Sequence, residues 1–457
     1  MPLYAVATKR YMPRCWQDAA GLADRQFFTI HKLPEAARPV LMSLDGASDF
    51  ESFAFTPGQR KMLRMLIDKG YAEVCSLNAP CSPFQRPRSA QVRCLQEVHW
   101  AITGRCNLQC RHCFMESPSG RYAEPAWNEL RQMVEQFVSA NIPFVSLTGG
   151  EPLLHPAFGR LVTLLSQNGI AINQIATNGV ALDDACLAML LDAGQKPMFQ
   201  ISFDGVGRHD QMRGVPGTEA AALDAIGRCA ALGCFTAVTS VFSRENIDAL
   251  TETYEWLRDM GISMWMISRA QTAGLWQGGA AALSTGEMGQ ALYSLQRRWL
   301  QDGKPLHILM GNFFDARPDS APLRHPIPPY HPQSPECPET MDRVFLLPDG
   351  KLLPCPGFTG TTIAGEMPGL WDMTLGEAVT DSALSRFCGD EKALRLSRNP
   401  QCQTCDYFTE CGMGCRAYAL TEGGSATGAD PWTCELYQNG WKKHFAQAER
   451  EFTQREC

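Results

Sequence analysis

Between residues 98 and 310 the chain alternates short β-rich apolar runs with amphipathic helical stretches, and this rhythm restricts the fold more than any other feature. The apolar runs fall at 98–102, 144–147, 172–176, 198–203, 236–242 and 263–268. Patterns such as Trp127, Leu130, Met133, Val134, Phe137 and Val138 separate them, spaced to bury one helical face. Gly169, Gly194, Gly233, Gly261 and Gly303 stand just before the next apolar run, where a left-handed residue ends a helix. Six such units predict an α/β fold, a parallel sheet curved into a partial (β/α)6 barrel with its helices outside. The active site of such a barrel lies at the C-terminal ends of its strands. Loops 103–113, 148–152, 177–179 and 204–205 would all open at that mouth.

Residues 1–95 lack this rhythm. A helix is expected over 57–70 (Met62, Leu63, Leu66, Ile67), followed by a strand at 71–75, with short strands at 26–30 and 40–43. These fit a small winged-helix-like α/β module. Proline-rich stretches at 80–88 and 317–338 punctuate the chain, and the region after the second is cysteine-rich and weakly periodic. The expected division is 1–95, 96–315 and 316–457, in keeping with two or three domains for 457 residues.

A net charge of -7 with scattered Lys and Arg gives no footprint for nucleic acid. No apolar run is long enough to span a bilayer, and the N-terminus lacks a secretory pattern, so no membrane partner and a cytoplasmic location are expected. In a reducing compartment nineteen cysteines point to metal rather than disulfides. Ten of them form two groups. The first, Cys106-Asn107-Leu108-Gln109-Cys110-Arg111-His112-Cys113, places three thiols in the loop leaving the first strand. Three cysteines on a four-iron cluster leave one iron open to a cosubstrate. A zinc site with His112 as fourth ligand is the alternative.

This C-x3-C-x2-C spacing resembles the signature of the radical S-adenosylmethionine (SAM) superfamily, and Thr148-Gly149-Gly150-Glu151-Pro152 resembles its GGEP motif. The resemblance covers about residues 96–311. It implies that the open iron takes the amino and carboxylate groups of S-adenosylmethionine, with Gly149, Gly150 and Glu151 beside the amino group. Ser202, in Ser202-Phe203-Asp204-Gly205, would lie near the ribose, and Arg213 near the carboxylate. Asn178 and Ser240 sit at strand ends facing the same mouth. Each of these four also reads as a loop cap or hydrogen-bonded turn. The chemistry implied is reductive cleavage of the sulfonium to a 5'-deoxyadenosyl radical that abstracts hydrogen, the protein orienting the radical and excluding water.

The second group, Cys337, Cys355, Cys402, Cys405, Cys411, Cys415 and Cys434, resembles the SPASM extension, which implies two auxiliary [4Fe-4S] clusters and three in all. By that resemblance Cys402, Cys405, Cys411 and Cys434 hold the distal cluster, and Cys337, Cys355 and Cys415 the proximal one. The proximal cluster is one ligand short: either an iron is open, or Cys388 or another residue completes it. Two zinc ions are the alternative occupants. The resemblance extends to maturases of ribosomally synthesised peptides (RiPPs). An oxidoreductase is therefore expected, installing a thioether or carbon–carbon cross-link in a precursor peptide, with a flavodoxin or ferredoxin as electron donor. Residues 1–95 would then recognise the precursor by adding it as a strand, or simply cap the barrel. A recognition module of that kind should be removable without loss of uncoupled cofactor cleavage. The alternatives are a sulfatase-type protein maturase, a redox or heme cofactor maturase, and a non-catalytic zinc or iron–sulfur protein. Sulfatase maturases carry an aspartate base directly after the equivalent of Cys355; here that residue is Pro356. No catalytic base is identified.

Overall fold

The structure, a computed structural model, describes residues 3–51, 55–276, 279–311, 313–318, 337–389 and 392–456. Its first six strands are β1 (Tyr4–Ala7), β2 (Tyr11–Cys15), β3 (Ala20–Asp24), β4 (Thr29–Leu33), β5 (Ala72–Cys75) and β6 (Arg88–Ser89). They form two small sheets, a β1–β5 pair and a four-stranded sheet ordered β4-β3-β2-β6. The helix Pro57–Asp68 starts at Thr56, whose side chain and that of Gln59 cap each other's backbone, and it buries Leu63 and Leu66. The strand expected at 40–43 is instead part of the helix Arg38–Met42, with Pro39 in its first turn, where a preset φ favours helix. The strand expected at 26–30 begins only at Thr29. The preceding residues are a hairpin turn in which Asp24 Oδ1 accepts from the Gln26 amide (2.8 Å) and Phe28 has φ 52°.

Ten further strands make one sheet: β7 (Glu97–Ala101), β8 (Phe144–Thr148), β9 (Ala171–Thr177), β10 (Met198–Ser202), β11 (Thr236–Phe242), β12 (Met264–Arg269), β13 (His307–Met310), β14 (Phe314–Ala316), β15 (Arg343–Leu346) and β16 (Leu352–Leu353). Their order is β14-β13-β12-β11-β10-β9-β8-β7-β15-β16. The six expected strands are β7 to β12, all parallel, and β13 and β15 extend the parallel run on either side. Antiparallel β14 and β16 end it, so the sheet is open, a partial barrel. All five helix-terminating glycines have positive φ. Helices cover the sheet, and every residue of β8 is buried, as in parallel strands packed on both faces.

The N-terminal module docks at the bottom of this barrel. Met12, Ala23, Phe28 and Phe84 share a core with Phe144 and Ala171, the first residues of β8 and β9. Phe28 meets Phe144 edge-on at 5.6 Å. Arg14, fully buried, donates to the carbonyls of Arg86 (3.0 Å) and Gly169 (2.9 Å). The C-terminal region joins the same sheet through β15, and its last helix, Trp441–Glu456, packs on Thr285–Gln301. There the Trp441 ring fills the space a Cβ on Gly289 would need. Most of the proline-rich stretch 317–338 lies outside the described residues. Among the described residues no helix is long and apolar enough to cross a membrane.

Candidate active site at the barrel mouth

The loops leaving β7 and β8 are joined backbone to backbone. The Gly150 amide donates to Thr103 O and the Glu151 amide to Arg105 O, both at 2.8 Å. A Cβ on Gly149 would sit 2.3 Å from Thr103 O, and one on Gly150 2.3 Å from Arg105 O, so the glycine pair is what lets the loops meet. Glu151 is fully buried beneath them. Its carboxylate accepts from Thr177 Oγ1 (2.8 Å), the Asn178 amide (2.8 Å) and the Leu153 amide (3.2 Å). Burial pushes its pKa up to about 7 despite those donors. Asn178 in turn donates to Asn107 Oδ1 (2.8 Å), with its Nδ2 3.9 Å from Cys106 Sγ. Three successive loops are thereby locked around the first cysteine.

Each of the three thiols has an N–H donor. The Leu108 amide reaches Cys106 Sγ (3.4 Å), Arg213 Nη1 reaches Cys110 Sγ (3.6 Å), and the Ser117 amide reaches Cys113 Sγ (3.4 Å). Burial pushes the Cys106 thiol up to about 12, so ionisation there calls for a bound cation, as metal ligation supplies. Arg213 is shared with Asp204, fully buried, through Nε–Oδ2 (2.7 Å) and Nη2–Oδ1 (3.0 Å). Burial alone would raise the Asp204 pKa, but Arg213, then His112 and His209, outweigh it and hold it below the usual carboxylate range. The His112 ring faces Asp204, Nε2 to Oδ2 at 3.3 Å, and burial lowers its pKa to about 4, leaving it neutral.

This geometry bears on which metal the loop can take. His112 is turned to a carboxylate. Among the described residues no three His, Cys, Asp or Glu side chains are disposed to hold a single metal ion. Thiolates on one zinc would stand about 3.8 Å apart, given Zn–S bonds near 2.3 Å in a tetrahedron, whereas a four-iron cluster gives each thiolate its own iron. Three thiols carrying N–H···S donors fit the cluster, because such bonds tune iron–sulfur sites.

Of the other residues singled out from sequence, Ser202 is half-buried at the end of β10. Ser240 is fully buried and braces three strands, donating to Phe203 O and accepting from Trp265 Nε1 (2.8 Å). Asp204 is a site residue that the sequence pattern alone does not assign. The signal was an acid between an apolar strand and Gly205, with His209 and Arg213 following on one short helix.

Residues 100–257, which contain the three cysteines, the Gly149–Glu151 loop and the Asp204–Arg213 pair, match the Radical SAM superfamily. This chain carries a radical SAM domain. Similar proteins include an AdoMet-dependent heme synthase from Oleidesulfovibrio alaskensis, 23% identical over 73% of this chain and 86% of its own length. Another is the mycofactocin maturase MftC of Mycobacterium ulcerans, 26% identical over 74% of this chain and 87% of its own. Among solved structures, Streptococcus suis SuiB bound to its precursor peptide SuiA superposes with a TM-score of 0.68 at 15% identity, covering 94% of this chain and all of that one. At that identity the likeness is one of fold. S-adenosylmethionine and a [4Fe-4S] cluster are the cofactors of the radical SAM domain.

Beyond the domain, the C-terminal cysteines fall into two spatial sets. Cys402 lies within electrostatic reach of Cys405, Cys411 and Cys434, and Cys337, Cys355 and Cys415 lie within reach of one another. Asp430 stands between the sets. It caps the helix Pro431–Gln438, which carries Cys434, and accepts from the Cys415 amide at 3.3 Å.

Proposed function

We propose that this protein is a SPASM-type radical SAM maturase that installs an oxidative cross-link, thioether or carbon–carbon, in a ribosomally made precursor peptide. The observation that carries the reading is the extent of the fold shared with peptide-bound SuiB: coverage of 94% leaves out too few residues to omit the N-terminal module. β4 lies at one edge of that module's sheet with His31 and Lys32 exposed, an edge to which an extended peptide can add. Cys106, Cys110 and Cys113 hold the first cluster and leave one iron for the methionine end of the cofactor. Cys402, Cys405, Cys411 and Cys434 hold a distal auxiliary cluster, and Cys337, Cys355 and Cys415 belong to a proximal one.

When bound, the reduced cluster and S-adenosylmethionine supply a one-electron cleavage that ends in hydrogen abstraction. The chain's own residues set the stage for it. Gly149 and Gly150 let two loops close on the cysteine loop, Glu151 and Asn178 fix those loops, and Asp204 holds Arg213 on Cys110. The buried strand walls exclude water. Each cross-link removes two electrons and two protons from the peptide: one of each leaves as the hydrogen atom taken up in 5'-deoxyadenosine, and the auxiliary clusters, when bound, would lead the remaining electron away; a flavodoxin- or ferredoxin-like protein would deliver the electron that starts the cycle. Pro356 cannot accept a proton, which weighs against the sulfatase-type reaction.

The similarity to heme synthases favours a second reading, maturation of a heme-type cofactor. One experiment separates the two. Anaerobically reconstituted enzyme carrying about twelve irons is given S-adenosylmethionine, dithionite and either a peptide encoded beside the gene or iron coproporphyrin. Loss of two hydrogens from the peptide, with 5'-deoxyadenosine released, is the expected result. Porphyrin oxidation with an untouched peptide selects the second reading, and no 5'-deoxyadenosine with any substrate removes both.

A further inference from the structure

Cys388 belongs to neither cysteine group by spacing, yet the fold carries it to one of them. It is buried in the helix Ala383–Gly389 and lies within electrostatic reach of Cys355 and Cys337. Separate contacts tie it to the neighbours of all three proximal cysteines. Thr340, three residues after Cys337, lies beside the Cys388 side chain, and its Oγ1 donates to Cys337 O at 2.9 Å. Phe387 packs edge-on against Phe358, three residues after Cys355, with centroids 5.2 Å apart. The Phe387 carbonyl accepts from Nη1 of Arg416, the residue after Cys415, at 2.7 Å, and the same guanidinium lies 3.7 Å over the Phe387 ring.

The geometry points to Cys388 as the fourth ligand of the proximal auxiliary cluster, a ligand that lies outside the seven-cysteine pattern. The inference rests on the three-cluster reading above and sharpens it. With four thiolates the cluster has no open iron, so it passes electrons and does not bind the substrate. Four thiolates also give the cluster a net negative charge, and the guanidiniums of Arg416 and Arg93, both within electrostatic reach of Cys388, offset it. An ordinary core cysteine needs no such partners.

The test uses full-length protein in which Cys106, Cys110 and Cys113 are alanine, so that only auxiliary clusters remain, about eight irons per chain. Cys388→Ala is expected to lower the iron toward about four, or to produce the signal of a three-iron cluster on oxidation. Cys388→Ser, which keeps size and an oxygen ligand, is expected to retain iron but shift the electron paramagnetic resonance signal of the reduced proximal cluster. Cyanide added to the parent protein is expected to leave that signal unchanged. Unaltered iron and unaltered signals in both variants would overturn the assignment, as would a cyanide-induced shift, which reports an open iron. A parent protein without auxiliary iron removes the three-cluster reading itself, and the assignment with it.

Discussion

At the scale of single residues, Gly150 decides whether the mouth of the barrel can be assembled. A methyl group there would lie 2.3 Å from a backbone carbonyl, a contact that no side-chain motion relieves. Overpacking of this kind costs about 1–3 kcal/mol, and here the movement it forces would part the two 2.8 Å bonds that seat Glu151. Gly150→Ala is therefore expected to lower S-adenosylmethionine cleavage roughly tenfold or more and to deplete the first cluster while sparing auxiliary iron. Gly159→Ala, in a helix with nothing within 4 Å of the added carbon, is the control and should stay within about twofold. Equal activity of the two variants would show that the loop contact is dispensable. The cysteine triplet and the glycine pair were legible in sequence because each works as a contiguous string. Asp204 was not, since its meaning depends on His112, Cys110 and Arg213, which only the barrel brings together. Arg213 could be picked out, but its ion pair could not.

At the scale of elements, β7 to β12 were readable because strands buried on both faces appear as continuous apolar runs. β2 and β3 were not. Their sequences, Tyr-Met-Pro-Arg-Cys and Ala-Gly-Leu-Ala-Asp, hold residues that shun strands, yet every position is buried. Arg14 and Asp24 tolerate it because each finds partners, carbonyls for one and the half-exposed Arg10 for the other. The exposed edge of the same sheet allows a direct check on peptide docking. Backbone N–H groups of successive strand residues point to opposite edges, so of His31 and Lys32 one faces β3 and one faces outward. Proline at the outward position removes a docking donor and leaves the ladder intact; proline at the other breaks the ladder. The variant with an unchanged melting profile is expected to bind precursor roughly tenfold more weakly, a loss of about 1.4 kcal/mol and in the range for one backbone hydrogen bond. Unchanged affinity in both variants would move the docking site off β4.

At the scale of the whole molecule, the proposed docking edge and the cysteine loop belong to opposite ends of the barrel. The N-terminal module touches the first residues of β8 and β9, whereas the cysteine loop leaves the far ends of the strands. Strands of five to seven residues rise about 3.3 Å per residue, so a bound peptide has to run roughly 20 Å from anchor to mouth. The module is also not a detachable tether. Deleting residues 1–90 would uncover Phe144 and Ala171 and leave the Gly169 carbonyl without Arg14. Exposing a buried phenylalanine alone costs about 2–3 kcal/mol. The truncated protein is thus expected to melt lower and to lose uncoupled 5'-deoxyadenosine release along with precursor binding, where a free-standing recognition module would take only the binding away. Thermal melting and cofactor cleavage under excess dithionite, measured on the same preparation, decide between them. If cleavage survives within about twofold while the melting point holds, the packing beneath the barrel adds nothing to the site above it, and the module has to be regarded as a separate domain.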